Sequence, residues 1–143
     1  MGSDLYSPGR SVVARLPFGA DLLAAVAAVV EEHGVEAGAL QGVGALRRAR
    51  LAFYDQRRQT YEELDFDEPL EIVALLGNVS RRDGDVAVHA HAALARNDGT
   101  ALGGHVVAGC EVFACELVVV ELIGRPLERG HDKQTGLPLW TTL

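Results

Sequence analysis

Apolar residues fall into one helical stretch and a long series of strand-like runs. The segment Asp21-Leu-Leu-Ala-Ala-Val-Ala-Ala-Val-Val-Glu-Glu-His33 is rich in helix formers, opens on an acidic residue that complements the helix dipole, and stops at Gly34. It is apolar nearly all round until Glu31, so this predicted helix should lie against a sheet and touch further apolar surface on its flanks. Ahead of it, residues 11–16 read as a short strand broken by Pro17-Phe18-Gly19. From Ala37 onward the helical period disappears, and strands are predicted at about 37–43, 46–54, 59–65, 69–79, 85–95, 103–108 and 112–123. Turn signals separate them at residues 42–44, 55–58, 81–84 and 96–99, and Asp83-Gly84 and Asp98-Gly99 are good hairpin dipeptides. Residues 72–76 and 117–120 are continuous apolar runs, as expected of strands covered on both faces. The pattern predicts an α/β (α+β) fold, a largely antiparallel mixed sheet of about six to seven strands with one main helix packed on it.

Composition narrows this to a single domain. The 143 residues, 48% hydrophobic and 23% charged, suffice for one ordinary core. We expect a flexible leader over residues 1–9, a folded domain over 10–125 and a C-terminal tail over 126–143. Thirteen Lys and Arg against twenty Asp and Glu give a formal charge of -7, which repels a polyanion unless the basic residues cluster on one face. Cys110 and Cys115 lie five apart in an apolar segment, on opposite faces of a strand, and read as buried thiols and not as a disulfide. No basic segment followed by an apolar one opens the chain, and the apolar stretch 22–30 is about half a membrane span, so a cytoplasmic protein is expected.

Candidate chemistry concentrates on histidine. His89 and His91 alternate on a predicted strand, so their side chains share one face with Cα atoms roughly 6.6 Å apart. Two imidazoles leaning together reach one ion at about 2.0 to 2.1 Å each. Ala87 and Ala93 on the same face leave room beside the rings, and the turn at Asp98-Gly99 brings Gly103-Gly104-His105 back toward the pair. The two glycines let the next strand approach closely before it presents His105. Three neutral imidazoles make a zinc site whose fourth position takes water or a carboxylate; the alternative is a set of hydrogen-bonded interior histidines. His33 and His131 lack such a setting and read as solvated.

Glu71 and Glu121 are each embedded in an apolar strand, where an unpaired charge is costly. Either is a candidate to accept a hydrogen bond from a ligating imidazole and orient it, to be the fourth ligand, or to act as general base on metal-bound water; the alternative is a strand end in solvent or an arginine partner. Arg47, Arg48 and Arg50, with Arg57-Arg58 and Arg81-Arg82, are candidates for a weak DNA-contacting patch if the turns cluster, and otherwise for an ordinary solvated face. Gly42-Val-Gly44 is too short for a phosphate loop and reads as a strand bend, and no serine or cysteine sits in a nucleophile setting.

The order of these pieces resembles the prokaryotic members of the plants and prokaryotes conserved (PPC) domain family. The residues that carry the resemblance are Gly19-Ala-Asp-Leu22, Gly42-Val-Gly-Ala-Leu46, Leu70-Glu-Ile72 leading to Leu76-Gly-Asn78, Asp83-Gly84, His89-Ala-His91, Gly103-Gly-His105 and the stretch 116–121. It covers roughly residues 10–125. The resemblance implies a largely antiparallel sheet carrying one helix, assembly into a homotrimer, and a histidine metal site on His89, His91 and His105. Zinc is the first choice of ion there, with nickel after affinity purification. Members are commonly described as DNA-binding, a label that comes largely from plant proteins carrying a separate AT-hook. This chain reads Ile123-Gly-Arg-Pro126 where an AT-hook core reads Arg-Gly-Arg-Pro, so it lacks that minor-groove arm. The expectation is a non-enzymatic regulatory protein that acts by self-association and weak DNA or partner contacts. A zinc enzyme activating water on the three histidines, and a sensor using the metal to hold a small ligand, are the alternatives.

Overall fold

The computed structural model describes residues 2–143. Its elements are β1 (Ser7–Leu16), α1 (Leu22–Glu32), β2 (Gly38–Asp55), β3 (Thr60–Phe66), β4 (Leu70–Arg82), β5 (Asp85–Ala95), β6 (Ala101–Val106), β7 (Glu111–Ile123), β8 (Arg129–His131) and β9 (Pro138–Trp140). Seven strands form one sheet in the order β1-β7-β2-β4-β5-β6, with β3 paired to β2. Its ladders are antiparallel. The parallel contact between Arg81 and Glu128 is an isolated bridge. The expected α+β class, a largely antiparallel main sheet with one main helix, is the architecture observed.

The helix begins where Asp21 caps it, its side chain accepting from the Ala24 N–H at 3.0 Å, and it ends at Gly34 with φ of 63°. Leu22, Val26 and Val30 form its buried stripe, and it packs across β1, β5 and β7. Beneath it lie Val12, Leu40, Leu75, Ala90 and Val119, residues of one sheet face. Cys110 and Cys115 are buried and free, as their setting predicted.

The long strand β2 determines the shape. Residues 37–43 and 46–54 were expected as two strands, because Gly42-Val-Gly44 reads as a break; instead a bulge carries one strand through it. Gly44 takes φ of 148°, and a Cβ there would lie 2.1 Å from the Ala114 carbonyl oxygen, so only glycine lets β7 stay paired across the bend. The first half of β2 pairs with β7 and β4, and its second half with β3 and β6. The circuit β2-β4-β5-β6 therefore closes on itself, through Leu51 opposite Val106 and Ala52 opposite His105.

Strands also occur in the segments that flank residues 10–125. β1 starts at Ser7, which pairs with Ile123. The last residues form the β8–β9 hairpin, with Arg129 opposite Trp140, tied to β4 by the Arg81 N–H donating to the Leu127 carbonyl at 2.9 Å. No helix among the described residues is long and apolar enough to cross a membrane.

Candidate metal centre

Strand alternation and one tight hairpin build the centre. Asp83 and Gly84, with φ of 55° and 90°, make the turn that sets β5 against β4. In that register His89 faces Asn78 and His91 faces Leu76, while Ala90 and Ala92 between and beyond them are buried in the core. Both imidazoles therefore project from the sheet face opposite the helix. The second hairpin closes at Gly99, with φ of 82°, and puts His105 directly opposite His91. A Cβ on Gly103 would sit 2.6 Å from the Ala92 carbonyl oxygen, and one on Gly104 would sit 3.0 Å from that of Ala52. The two glycines thus let β6 fit between β5 and β2, the close approach their position predicted.

The three histidines converge. One ring nitrogen from each of His89, His91 and His105 lies within 4.8 Å of the others. The Nε2 atoms of His89 and His91 are 3.3 Å apart, and the ring centroids are separated by 5.1 to 5.3 Å. His105 is the innermost; its Nδ1 is buried without a hydrogen-bond partner. A buried ring nitrogen in that condition is unsatisfied, and three imidazoles at this separation are a donor set that suits zinc. Burial, then His89, His91 and Arg129, push the His105 imidazole down to about 4. Burial, then Arg129 and His91, also lower His89. These two rings are neutral at pH 7, the protonation state a metal ligand needs.

The carboxylates expected nearby are elsewhere. Glu121 faces Gly38 at the far end of β2 and is gripped by Arg10, whose Nη2 is 2.7 Å from Oε1 and whose Nε donates to Oε2 at 2.8 Å. Those hydrogen bonds hold its carboxyl down at about 2. Glu71, opposite Ala95, lines a different cleft of about 690 Å³ with Arg47, Arg48 and Glu111. Neither lies where it could accept from an imidazole, fill a fourth position or act as base; strand alternation put both in apolar runs without indicating which neighbour each would meet. Among the described residues no carboxylate joins the imidazole group.

The arginine patch is likewise neutralised. Arg47 and Arg48 both pair with Glu111, and Arg50 pairs with Glu63 and with Asp65. Each arginine expected to make a weak DNA contact is thus paired with an acid at the surface. His33 and His131 are exposed, as expected.

The centre opens into a cleft of about 660 Å³ whose other walls the sequence did not disclose. Tyr61 stacks on His105, centroids 5.0 Å apart and planes inclined by 28°. Tyr54 packs on Tyr61 at 5.0 Å and donates its hydroxyl to the Thr135 carbonyl at 2.6 Å. Arg129, from the supposed tail, donates to Ser80 Oγ at 2.8 Å, to the Pro138 carbonyl at 2.8 Å and to Asn78 Oδ1 at 2.6 Å. One signal was available: Leu137-Pro-Leu-Trp140 is too apolar for a solvated tail and follows a turn glycine.

Known proteins share this arrangement of strands. A metal-containing protein from Archaeoglobus fulgidus is 39% identical, with a TM-score of 0.93 over 98% of this chain and 99% of its own. A plant- and prokaryote-conserved protein from Pyrococcus horikoshii is 34% identical, with a TM-score of 0.93 over 100% of this chain and 99% of its own. A Bacteroides thetaiotaomicron protein, provisionally named DNA-binding, is 27% identical, with a TM-score of 0.84 over 96% and 97% of the two chains. In sequence, 85% of the chain matches the bifunctional protein GlmU of Synechococcus sp. strain JA-3-3Ab at 34% identity over 124 residues. That match spans only 19% of the Synechococcus protein, so the chain corresponds to about a fifth of its length. The model of the Plants and Prokaryotes Conserved (PCC) domain matches residues 4–123, a stretch that includes the bulged β2 and all three clustered histidines, and the chain belongs to that family.

Proposed function

We propose that this chain is a non-enzymatic, self-associating regulatory module that carries one divalent ion, zinc by preference, between His89, His91 and His105. The observation that carries the reading is the convergence of three imidazole nitrogens within 4.8 Å across two adjacent strands. The A. fulgidus relative, called metal-containing, supports it. His89 and His91 from β5 and His105 from β6 would hold the ion, which would tie the two strands together and supply a Lewis-acidic charge to the site. Metal analysis of protein made without a histidine tag tests this, with about one zinc per chain expected. A clear substoichiometric result would overturn it.

Assembly, as a homotrimer of the kind the family resemblance implies, rests on a second observation. Val13, Val43, Val73, Leu76 and Phe113 are each between 52% and 76% exposed on the strands of the sheet. In one registered row Val13 faces Val118, Val118 faces Gln41, Gln41 faces Leu76, and Leu76 faces His91. That row crosses the sheet face left bare by the helix, and an apolar patch of this kind marks an interaction surface.

Direct DNA contact is the weaker part of the reading. The chain carries -7, and Arg47, Arg48 and Arg50 are engaged by acids. Binding that weakens steeply with salt would support it, and no affinity even at low ionic strength would remove it. The water-activating zinc enzyme has less support, because neither Glu71 nor Glu121, the bases expected for it, joins the histidine group.

A further inference from the structure

Arg129 stands out among the arginines. Arg10, Arg47, Arg48, Arg50, Arg58, Arg81, Arg82, Arg96 and Arg125 each pair with a carboxylate. Arg15 and Arg57 lack one but are exposed. Arg129 is half-buried, and its hydrogen bonds go to a hydroxyl, a backbone carbonyl and an amide, none of them charged. Trp140 lies 5.5 Å from its guanidinium carbon, which offsets part of the charge but does not cancel it. A guanidinium removed from water without a counter-ion is costly, and here its charge falls on the same cleft as three imidazoles.

The position is also rigid. Nε donates to Ser80, Nη1 to Pro138 and Nη2 to Asn78, so the plane is fixed from three sides while each Nη keeps one N–H free. Asn78 sits opposite His89 on the neighbouring strand, and the guanidinium it holds lines the same cleft as the histidines. The remaining wall is apolar and aromatic, formed by Tyr54, Tyr61, Leu137 and Leu139. A cleft of about 660 Å³ lies within the range of small-molecule sites.

We propose that this cleft is a binding site for a small carboxylate with an apolar or aromatic body, its carboxylate anchored by Arg129 and its body lying against Tyr54 and Tyr61. One guanidinium matches a monoanion better than a phosphate, and the apolar wall rewards a body that a free oxyanion lacks. The inference deepens the metal reading, since an ion held by His89, His91 and His105 would add positive charge to the same cleft.

Sodium benzoate is a suitable probe and benzamide its uncharged match, both titrated calorimetrically into tag-free protein with and without zinc. Benzoate should bind at least tenfold more tightly than benzamide. Arg129→Gln should weaken benzoate at least tenfold while leaving zinc affinity within about threefold, and Arg129→Lys should restore part of the loss. Equal binding of benzoate and benzamide by the wild type would overturn the proposal without recourse to any variant. So would unchanged benzoate affinity in a zinc-competent Arg129→Gln protein. Zinc uptake with no benzoate binding sinks this inference and spares the metal reading. Arg129-dependent benzoate binding without zinc uptake does the reverse, and failure of both sinks both.

Discussion

At the scale of single residues, the centre depends most on His105. It is the only one of the three imidazoles with a buried, unpartnered nitrogen, and it sits between Tyr61 and the His89–His91 pair. Changes to residues that merely orient a metal ligand cost 10- to 100-fold in affinity, so His105→Gln should weaken zinc by about a hundredfold or more in a competition titration. A change within threefold would show that the other two histidines bind metal without it. The same residue predicts a pH effect in metal-free protein. With His105 lowered from 6.5 to about 4, and His89 lowered as well, the unfolded chain binds more protons than the native one between those values. Their contribution to stability is therefore complete above pH 6.5 and is lost as pH falls toward 4. Melting followed by circular dichroism should show Tm dropping through that window, and His105→Gln should flatten the drop. Glu121, held at about 2 by Arg10, acts separately: its contribution is present above its ordinary 4.5 and disappears only as pH falls toward 2. The histidines were legible because His-x-His on a strand and a glycine pair before the third leave few geometries open. Arg129 and Arg10 were not, since a cation's partner depends on contacts made by residues 49 and 111 positions away, for Ser80 and Glu121 respectively.

At the scale of elements, the fit of β6 between β5 and β2 decides whether the histidines meet. Alternation and turn dipeptides made β5 readable to the residue, 85–95 as expected, and the Asp83-Gly84 hairpin with it. β2 was misread as two strands because a glycine bulge and a turn leave the same trace in sequence, and only the pairing of Gly44 with Cys115 and Ile72 distinguishes them. The closure of β2 on β6 was invisible for the same reason, although it is what buries His105. Gly103 offers a test that leaves every imidazole in place. A Cβ there would meet the Ala92 carbonyl at 2.6 Å, and since the obstacle is backbone, β6 must move away. Gly103→Val should lower stability by about 1 to 3 kcal/mol, as overpacking does, and weaken zinc at least tenfold through displacement of His105. If stability falls while zinc affinity holds, the ligand geometry does not depend on the β5–β6 spacing.

At the scale of the whole molecule, the proposed assembly surface and the histidine cluster share one sheet face but need not share residues. Val13 lies at the β1 edge and Val43 on β2, whereas Leu76 is the immediate cross-strand neighbour of His91. If this face joins copies of the chain, charge at its distant part should break the assembly without touching the centre. Val13→Asp combined with Val43→Asp should convert the expected trimer to monomer in size-exclusion with light scattering, with zinc affinity kept within threefold, because both side chains are exposed and carry no load in the core. Leu76→Asp should do both, adding a carboxylate beside His91 as well as removing apolar contact. Removing the metal with a chelator should leave the trimer intact, since none of the registered row from Val13 to Leu76 ligates it. A double variant that remains trimeric would assign the interface to another surface. A trimer that dissociates on chelation would instead make the ion part of the interface, and the three histidines would then be read as its fastening and not as a site alongside it.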